Sequence, residues 1–309
     1  DAISAAALRT ISALEPQPLV HLVDVELACR RQLEEHLEPV LAAFVEAMPR
    51  SPGEWLWGGY RQLLRQTGVD SFGMWGSQRV LALLGICTPS ADFAGRAWQQ
   101  IHQHIEVRRA EDAAEEAAAT VGAGTDDDSA SPSGEASRRP RPRPQRRLAG
   151  RRVMYCCVEF GLWAPRAGGR AGAEEEVVCA ESGLSGCFVS ESGYRGDDSV
   201  RTSSWLVAED LPHSQRVDRV LCCEFQALTA LCSRLEEHAA VESEVEAEDP
   251  GTAAALRAEV GGAVRLLTTG VSCASCIGAM RQFQQLFPGV ALSVEMKDWW
   301  PHVHGVAPG

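Results

Sequence analysis

The chain has 309 residues, 45% of them apolar, which is enough for the cores of two domains of ordinary size. A net charge of -13 and a pI near 5.1 exclude a surface that coats nucleic acid indiscriminately, because counterion release needs clustered Lys and Arg. Any nucleic-acid contact must come from a local patch, and with no run of about eighteen apolar residues neither a transmembrane helix nor a membrane partner is expected.

The first 119 residues read as a mainly helical N-terminal region. Leu19 to Met48 carries Leu, Val, Ala and Glu at near-helical spacing, with Pro39 placed to end or kink the helix. A Trp- and Gly-rich stretch from Trp55 to Tyr60 and an apolar segment from Gln78 to Ile86 follow. Ala91 to Ala119 predicts a helix with Phe93, Trp98, Ile101 and Ile105 on one side. His21, His36, His102 and His104 are read as packed or solvated; His102 and His104, two apart on a helix, face different ways.

Residues 120–152 change character, first Gly-, Ser- and Asp-rich, then Arg- and Pro-rich from Ser137 to Arg147. Such a segment buries no apolar surface and reads as an extended linker. Its arginines, Arg146 and Arg147 among them, could also form a basic arm for a phosphate backbone.

From residue 153 to 309 the pattern is mixed α/β. Val153 to Phe160 predicts a buried strand, with shorter strands at Val177 to Ala180 and Cys187 to Ser190. Leu221 to His238 reads as a helix, Ala239 to Gly251 as an acidic loop and Ala263 to Thr268 as a strand. Cys273 to Phe287 reads as a helix stopped by Pro288-Gly289, and Val290 to Val294 as a further strand. That order makes an α/β sandwich the natural fold class.

Eleven cysteines, arranged as the adjacent pairs Cys156-Cys157 and Cys222-Cys223 and one C-x-x-C, do not resemble a spaced disulfide framework. They favour metal chemistry in a reducing, intracellular compartment. The organelle stays open, since a start at Asp1 instead of Met reads as trimmed.

Two motifs open predicted helices: Cys222-Cys223-Glu224 and Cys273-Ala274-Ser275-Cys276. A C-x-x-C at a helix start lets both sulfurs converge on one ion, and the unpaired amides and helix dipole favour thiolates. Cys222 can supply a third sulfur, and a catalytic zinc takes three protein ligands with water in the fourth position. Glu224, two residues on, can then face that water as an acid/base group without coordinating the ion. Both helix starts must lie side by side for this to work.

These motifs resemble the H/C-x-E and C-x-x-C of the cytidine-deaminase-like superfamily. The continuation from Gly278 to Phe283 and from Phe287 to Val294 is similar to the bacterial toxin-type nucleic-acid deaminases and their eukaryotic relatives. The likeness spans roughly residues 151 to 296. It implies a three-layer α/β/α sandwich with a mixed five-stranded sheet, a Zn2+ cofactor, and a cytosine in nucleic acid as substrate. It also implies that the backbone of Cys223 and Ser272 holds the base edge. Trp299 and Trp300 are candidates for stacking on a neighbouring base. The sequence departs from the family pattern in Ser272, where a proline is common, and in Cys222, where histidine is commoner. Only fifteen residues follow Val294, so the last helix and strand are expected to be abbreviated or absent.

Three other readings compete. A second C-x-E, Cys179-Ala180-Glu181, runs into Ser182-Gly183-Leu184-Ser185-Gly186, which cannot sustain a helix. Gly270 to Cys276, a helix and Pro288-Gly289-Val290 also resemble a heavy-metal-associated domain carrying Cu(I) between two thiolates. A purely structural zinc clip would need a fourth ligand from Cys156, Cys157, Cys223 or His302. Cys29, Cys87, Cys187 and Cys232 read as ordinary buried thiols.

Overall fold

The computed structural model describes residues 35–122, 153–164, 182–193, 205–214, 218–242 and 257–297. Among these, helices α1 (35–46), α2 (Pro52–Leu56), α3 (Gly59–Thr67), α4 (Gly73–Leu83) and α5 (Ala91–Gly122) come first. Strands β1 (Tyr155–Ala164) and β2 (Ser182–Glu191), helix α6 (Cys223–Glu242), strand β3 (Gly261–Thr268), helix α7 (Ala274–Leu286) and strand β4 (Gly289–Met296) follow.

The chain is mixed α/β, and among the described residues the sheet has four strands, mixed in direction, in the order β2-β1-β3-β4. β1 pairs antiparallel with β2 and β3, while β3 and β4 are parallel and joined through α7, as a parallel pair requires a crossover. The two-residue period of β1 sorts its side chains between two cores. Cys156, Val158, Phe160 and Leu162 join the larger core, with α6, α7 and residues of α1 to α4. Tyr155 and Cys157 join a smaller one, where Phe93, Ala94, Ala97, Ile101 and Ile105 of α5 cover the other face. Helices therefore pack on both sides of the sheet.

Helix α7 is the most enclosed element, with nine of its thirteen residues buried. The sheet lies on one side of it, and the helices before residue 90 close the other. Trp55 Nε1 donates to Gln285 Oε1 at 2.6 Å, and the Tyr60 hydroxyl donates to the Ala274 carbonyl at 2.7 Å. The Tyr60 ring also lies where a Cβ on Gly278 would stand, so only glycine lets the two helices approach this closely. The helical stretch 35–83 and the sheet thus share one hydrophobic core.

Several local expectations change. Pro39 does not end its helix: residues 35–46 stay helical through it, at the loss of one backbone donor. β2 begins at Ser182 and so absorbs the Gly- and Ser-rich run that cannot form a helix. α6 continues to Glu242, into residues read as an acidic loop. Cys87 and Cys187 are exposed and not buried, whereas Cys232 is buried. Among the described residues β2 has a neighbour on one edge only, and Cys187 on it is open. The strand candidate at 177–180, with Cys179, most of the linker, Cys29, His21 and His302 lie outside the described residues.

Candidate metal centre

Cys222 and Cys273 occupy equivalent places, each immediately before a helix on the same sheet face. The Cys222 carbonyl accepts from the Gln226 amide at 3.0 Å and the Cys273 carbonyl from the Ile277 amide at 3.1 Å, the first turns of α6 and α7. Both residues are extended, with φ/ψ of -68°/135° and -72°/163°, which turns their side chains back across the helix starts. Cys276 completes the group from the first turn of α7. The three sulfurs lie within 4.8 Å of one another, and the Sγ atoms of Cys273 and Cys276 are 3.5 Å apart. Cys276 is buried and the other two are half-buried. These three residues could hold a metal ion.

Glu224 is 2% exposed and lies directly beside the sulfurs. Its Oε2 is 3.5 Å from Cys276 Sγ and accepts from Cys223 Sγ at 3.2 Å; its Oε1 accepts from the Ser272 hydroxyl at 3.1 Å. Burial, then the negative charge of Cys273, pushes this carboxyl above the usual range, and hydrogen bonds only partly oppose them. Cys273 is drawn the other way, well below an ordinary thiol, chiefly by S–H donation from Cys222 and then Cys276, against burial. Arg219 adds positive charge there, with Nη1 3.9 Å from Cys222 Sγ.

The loop carrying the C-x-x-C is gripped from outside the sheet. The Ala274 amide donates to the Asp70 carbonyl at 2.9 Å, and Ser77 Oγ donates to the Ser272 carbonyl at 3.4 Å. The Ser272 amide points at Met296 Sδ, 3.4 Å away at the end of β4. On the other motif, Ser190 of β2 donates to the Cys223 carbonyl at 2.7 Å. Tyr60, Asp70, Ser77, Ser190 and Arg219 thus frame the centre. None carried a sequence signal for it, since each meets the centre only through folding.

Of the residues singled out from sequence, Cys222, Cys223, Glu224, Ser272, Cys273 and Cys276 come together. Arg146, Arg147, Trp299 and Trp300 lie outside the described residues. His104 instead faces Glu191 at 3.6 Å and His102 stacks edge-on with Trp98. Among the described residues, neither histidine nor Cys156, Cys157 or Cys223 joins the sulfur group. A cavity of about 170 Å³, lined in part by Trp55, Trp205, Arg257 and Gln282, lies at the far end of α7 from the cysteines. No described helix is long and apolar enough to cross a membrane. No protein-family model, curated protein or solved structure matches this chain.

Proposed function

We propose that this chain is a zinc-dependent hydrolytic deaminase that converts cytosine to uracil, with nucleic acid as the substrate class and a three-layer deaminase-like sandwich as its frame. The observation that carries the reading is a buried carboxylate, Glu224, set against three converging cysteine sulfurs.

The donor set suits zinc. Tetrahedral Zn–S bonds of about 2.3 Å put ligand sulfurs about 3.8 Å apart, close to the spacing found between Cys273 and Cys276. Three thiolates leave one tetrahedral position open, as catalysis needs, and among the described residues no fourth ligand fills it. A bound zinc supplies Lewis acidity, which makes water nucleophilic near neutral pH. Glu224 Oε2, beside the sulfurs, would take one proton from a water at the open position and pass it to the ring nitrogen, then carry the second proton, from the hydroxyl added at C4, to the departing amine. Ser272 Oγ holds the other carboxylate oxygen in place during the transfer. Water adds at C4 and ammonia leaves, so cytosine and water become uracil and ammonia. A two-thiolate copper carrier has no use for Cys222 or for a buried glutamate beside the pair.

Glu224→Gln tests the reading. It preserves shape and should retain zinc, while ammonia release falls by about 10² to 10⁴, because an amide does not shuttle protons. Full activity in this variant sinks the assignment. The substrate class is checked by offering cytidine, single-stranded DNA, duplex DNA and RNA in parallel and measuring uracil. Polymer turnover should fall steeply with salt, and less steeply once the linker arginines are removed. Turnover of cytidine alone, indifferent to salt, rules out the nucleic-acid substrate.

A further inference from the structure

A second pair of sulfurs lies on the opposite face of the sheet from the metal centre. In the β1/β2 register Cys157 stands opposite Val189 and Cys187 opposite Glu159, so the two cysteines are diagonal neighbours on one face. Their Sγ atoms are 3.6 Å apart. Cys157 is fully buried, Cys187 is exposed, and neither is in a disulfide. Closing to an S–S bond of about 2.05 Å needs roughly 1.5 Å of sulfur movement, and because diagonal neighbours stand farther apart than directly opposed residues, a local shift of the edge strand must accompany the side-chain rotation. The surroundings are charged: Glu159, opposite Cys187, accepts from Arg96 at 3.0 Å and from Arg265 at 2.7 Å.

We propose that Cys157 and Cys187 are a redox-reactive dithiol, a modification site at which a hydroperoxide oxidises the pair to a disulfide. Cys187, the accessible member, is the attacking sulfur. Its thiolate displaces on the outer oxygen of the hydroperoxide; the O–O bond breaks, and the leaving oxygen takes a proton and departs as water or an alcohol. Cys187 is left as a sulfenic acid. The Cys157 sulfur then attacks Cys187 Sγ, the S–O bond breaks, and the hydroxyl leaves as water with the Cys157 proton. Two electrons pass from the two sulfurs to the hydroperoxide.

The division of labour agrees with the local chemistry. S–H donation from Cys157 lowers the Cys187 thiol to about 7; burial and Glu159 oppose the shift, and Arg96 assists it. Cys157 is held far above an ordinary thiol, by that same interaction first and then by burial. A thiol half ionised near neutral pH reacts several-fold faster than an ordinary one, even after its lower intrinsic nucleophilicity is counted. Cys87, also exposed, offers an internal comparison, since its sulfur is hydrogen-bonded to the Gly85 carbonyl, at 4.0 Å, and not to another thiol.

The test uses the full chain loaded with zinc, exposed to about one equivalent of hydrogen peroxide, blocked with an alkylating agent and mapped by peptide mass. A linked peptide pair containing Cys157 and Cys187 should form about fivefold or more faster than Cys87 is oxidised. In Cys157→Ser the sulfenic acid should persist on Cys187 and be trapped by dimedone. In Cys187→Ser, Cys157 should stay reduced. Oxidation of Cys187 and Cys87 at equal rates with no linked peptide overturns the proposal, as does oxidation of Cys157 in Cys187→Ser.

Discussion

The two faces of the sheet each carry a cluster of cysteines, and the clusters are built differently. On one face, three sulfurs from two helix starts converge beside a buried carboxylate, so the group is suited to a cation. On the other, two sulfurs from adjacent strands meet at the rim of α5, with two arginines and a glutamate near them. Ligand number and surroundings separate them. Three thiols around one point repel one another when ionised, and an ion relieves that repulsion. Two thiols share one proton once either ionises, and giving up two electrons to an oxidant joins them as an uncharged disulfide. The clusters also differ in what holds them: the first is gripped by Tyr60, Asp70 and Ser77 from outside the sheet, the second rests on the β1/β2 register, with α5 packed over Cys157.

The largest expected effect separates the clusters outright. Metal analysis should find roughly one zinc per chain in the wild type and none in Cys273→Ser, while oxidation of the Cys157–Cys187 pair should proceed unchanged in that variant. Thermal melts give the size: with free zinc at a thousand times Kd, the wild-type chain should gain about 4 kcal/mol and the variant close to none. Copper found without zinc would favour the carrier reading and undo this side of the comparison.

A smaller effect comes from the grip on α7. Gly278→Ala puts a methyl into the Tyr60 ring, and overpacking of this kind costs about 1–3 kcal/mol. Displacing Tyr60 strains its bond to the Ala274 carbonyl, between the two ligands of the C-x-x-C. Zinc affinity should therefore fall together with stability, as read by competition with a chelator, and the dithiol should be untouched. Equal zinc affinity in a destabilised variant would show that the N-terminal helices support the fold without shaping the centre.

The smallest effect concerns Asp70, whose carbonyl holds the Ala274 amide and whose carboxylate accepts from Ser214 Oγ at 2.6 Å and the His213 amide at 3.1 Å. Burial pushes its carboxyl up, but these hydrogen bonds, with the charges of His213 and Arg219, leave it below the usual range. A carboxyl depressed by folding contributes stability above its unfolded value of about 3.9 and loses it as pH falls through the folded value. Asp70→Asn should thus be less stable than wild type at pH 6, by less than about 1 kcal/mol given solvent screening, and the two should converge at low pH. Chemical denaturation at pH 6 and pH 3 checks this; an unchanged gap would remove Asp70 from the acid response.

The sequence by itself determined what is local. A continuous apolar, β-branched and aromatic run announced β1, helix-start chemistry placed Cys222 and Cys273 at the openings of α6 and α7, and Pro288-Gly289 marked the end of α7. The composition of the motifs was enough to single out the three sulfurs and Glu224, because ligand type and spacing within one turn are properties of a short segment. Tertiary structure alone decided what joins distant segments. Nothing in the sequence tells that Tyr60 presses on Gly278, 218 residues later, or that the Asp70 carbonyl holds Ala274. Nor does it tell that Cys157 and Cys187 lie diagonally across a strand pair, because register depends on which residues of two separate strands face each other. Helix starts are written in consecutive residues; contacts between elements follow from the packing of whole surfaces, and these exist only once the chain has folded.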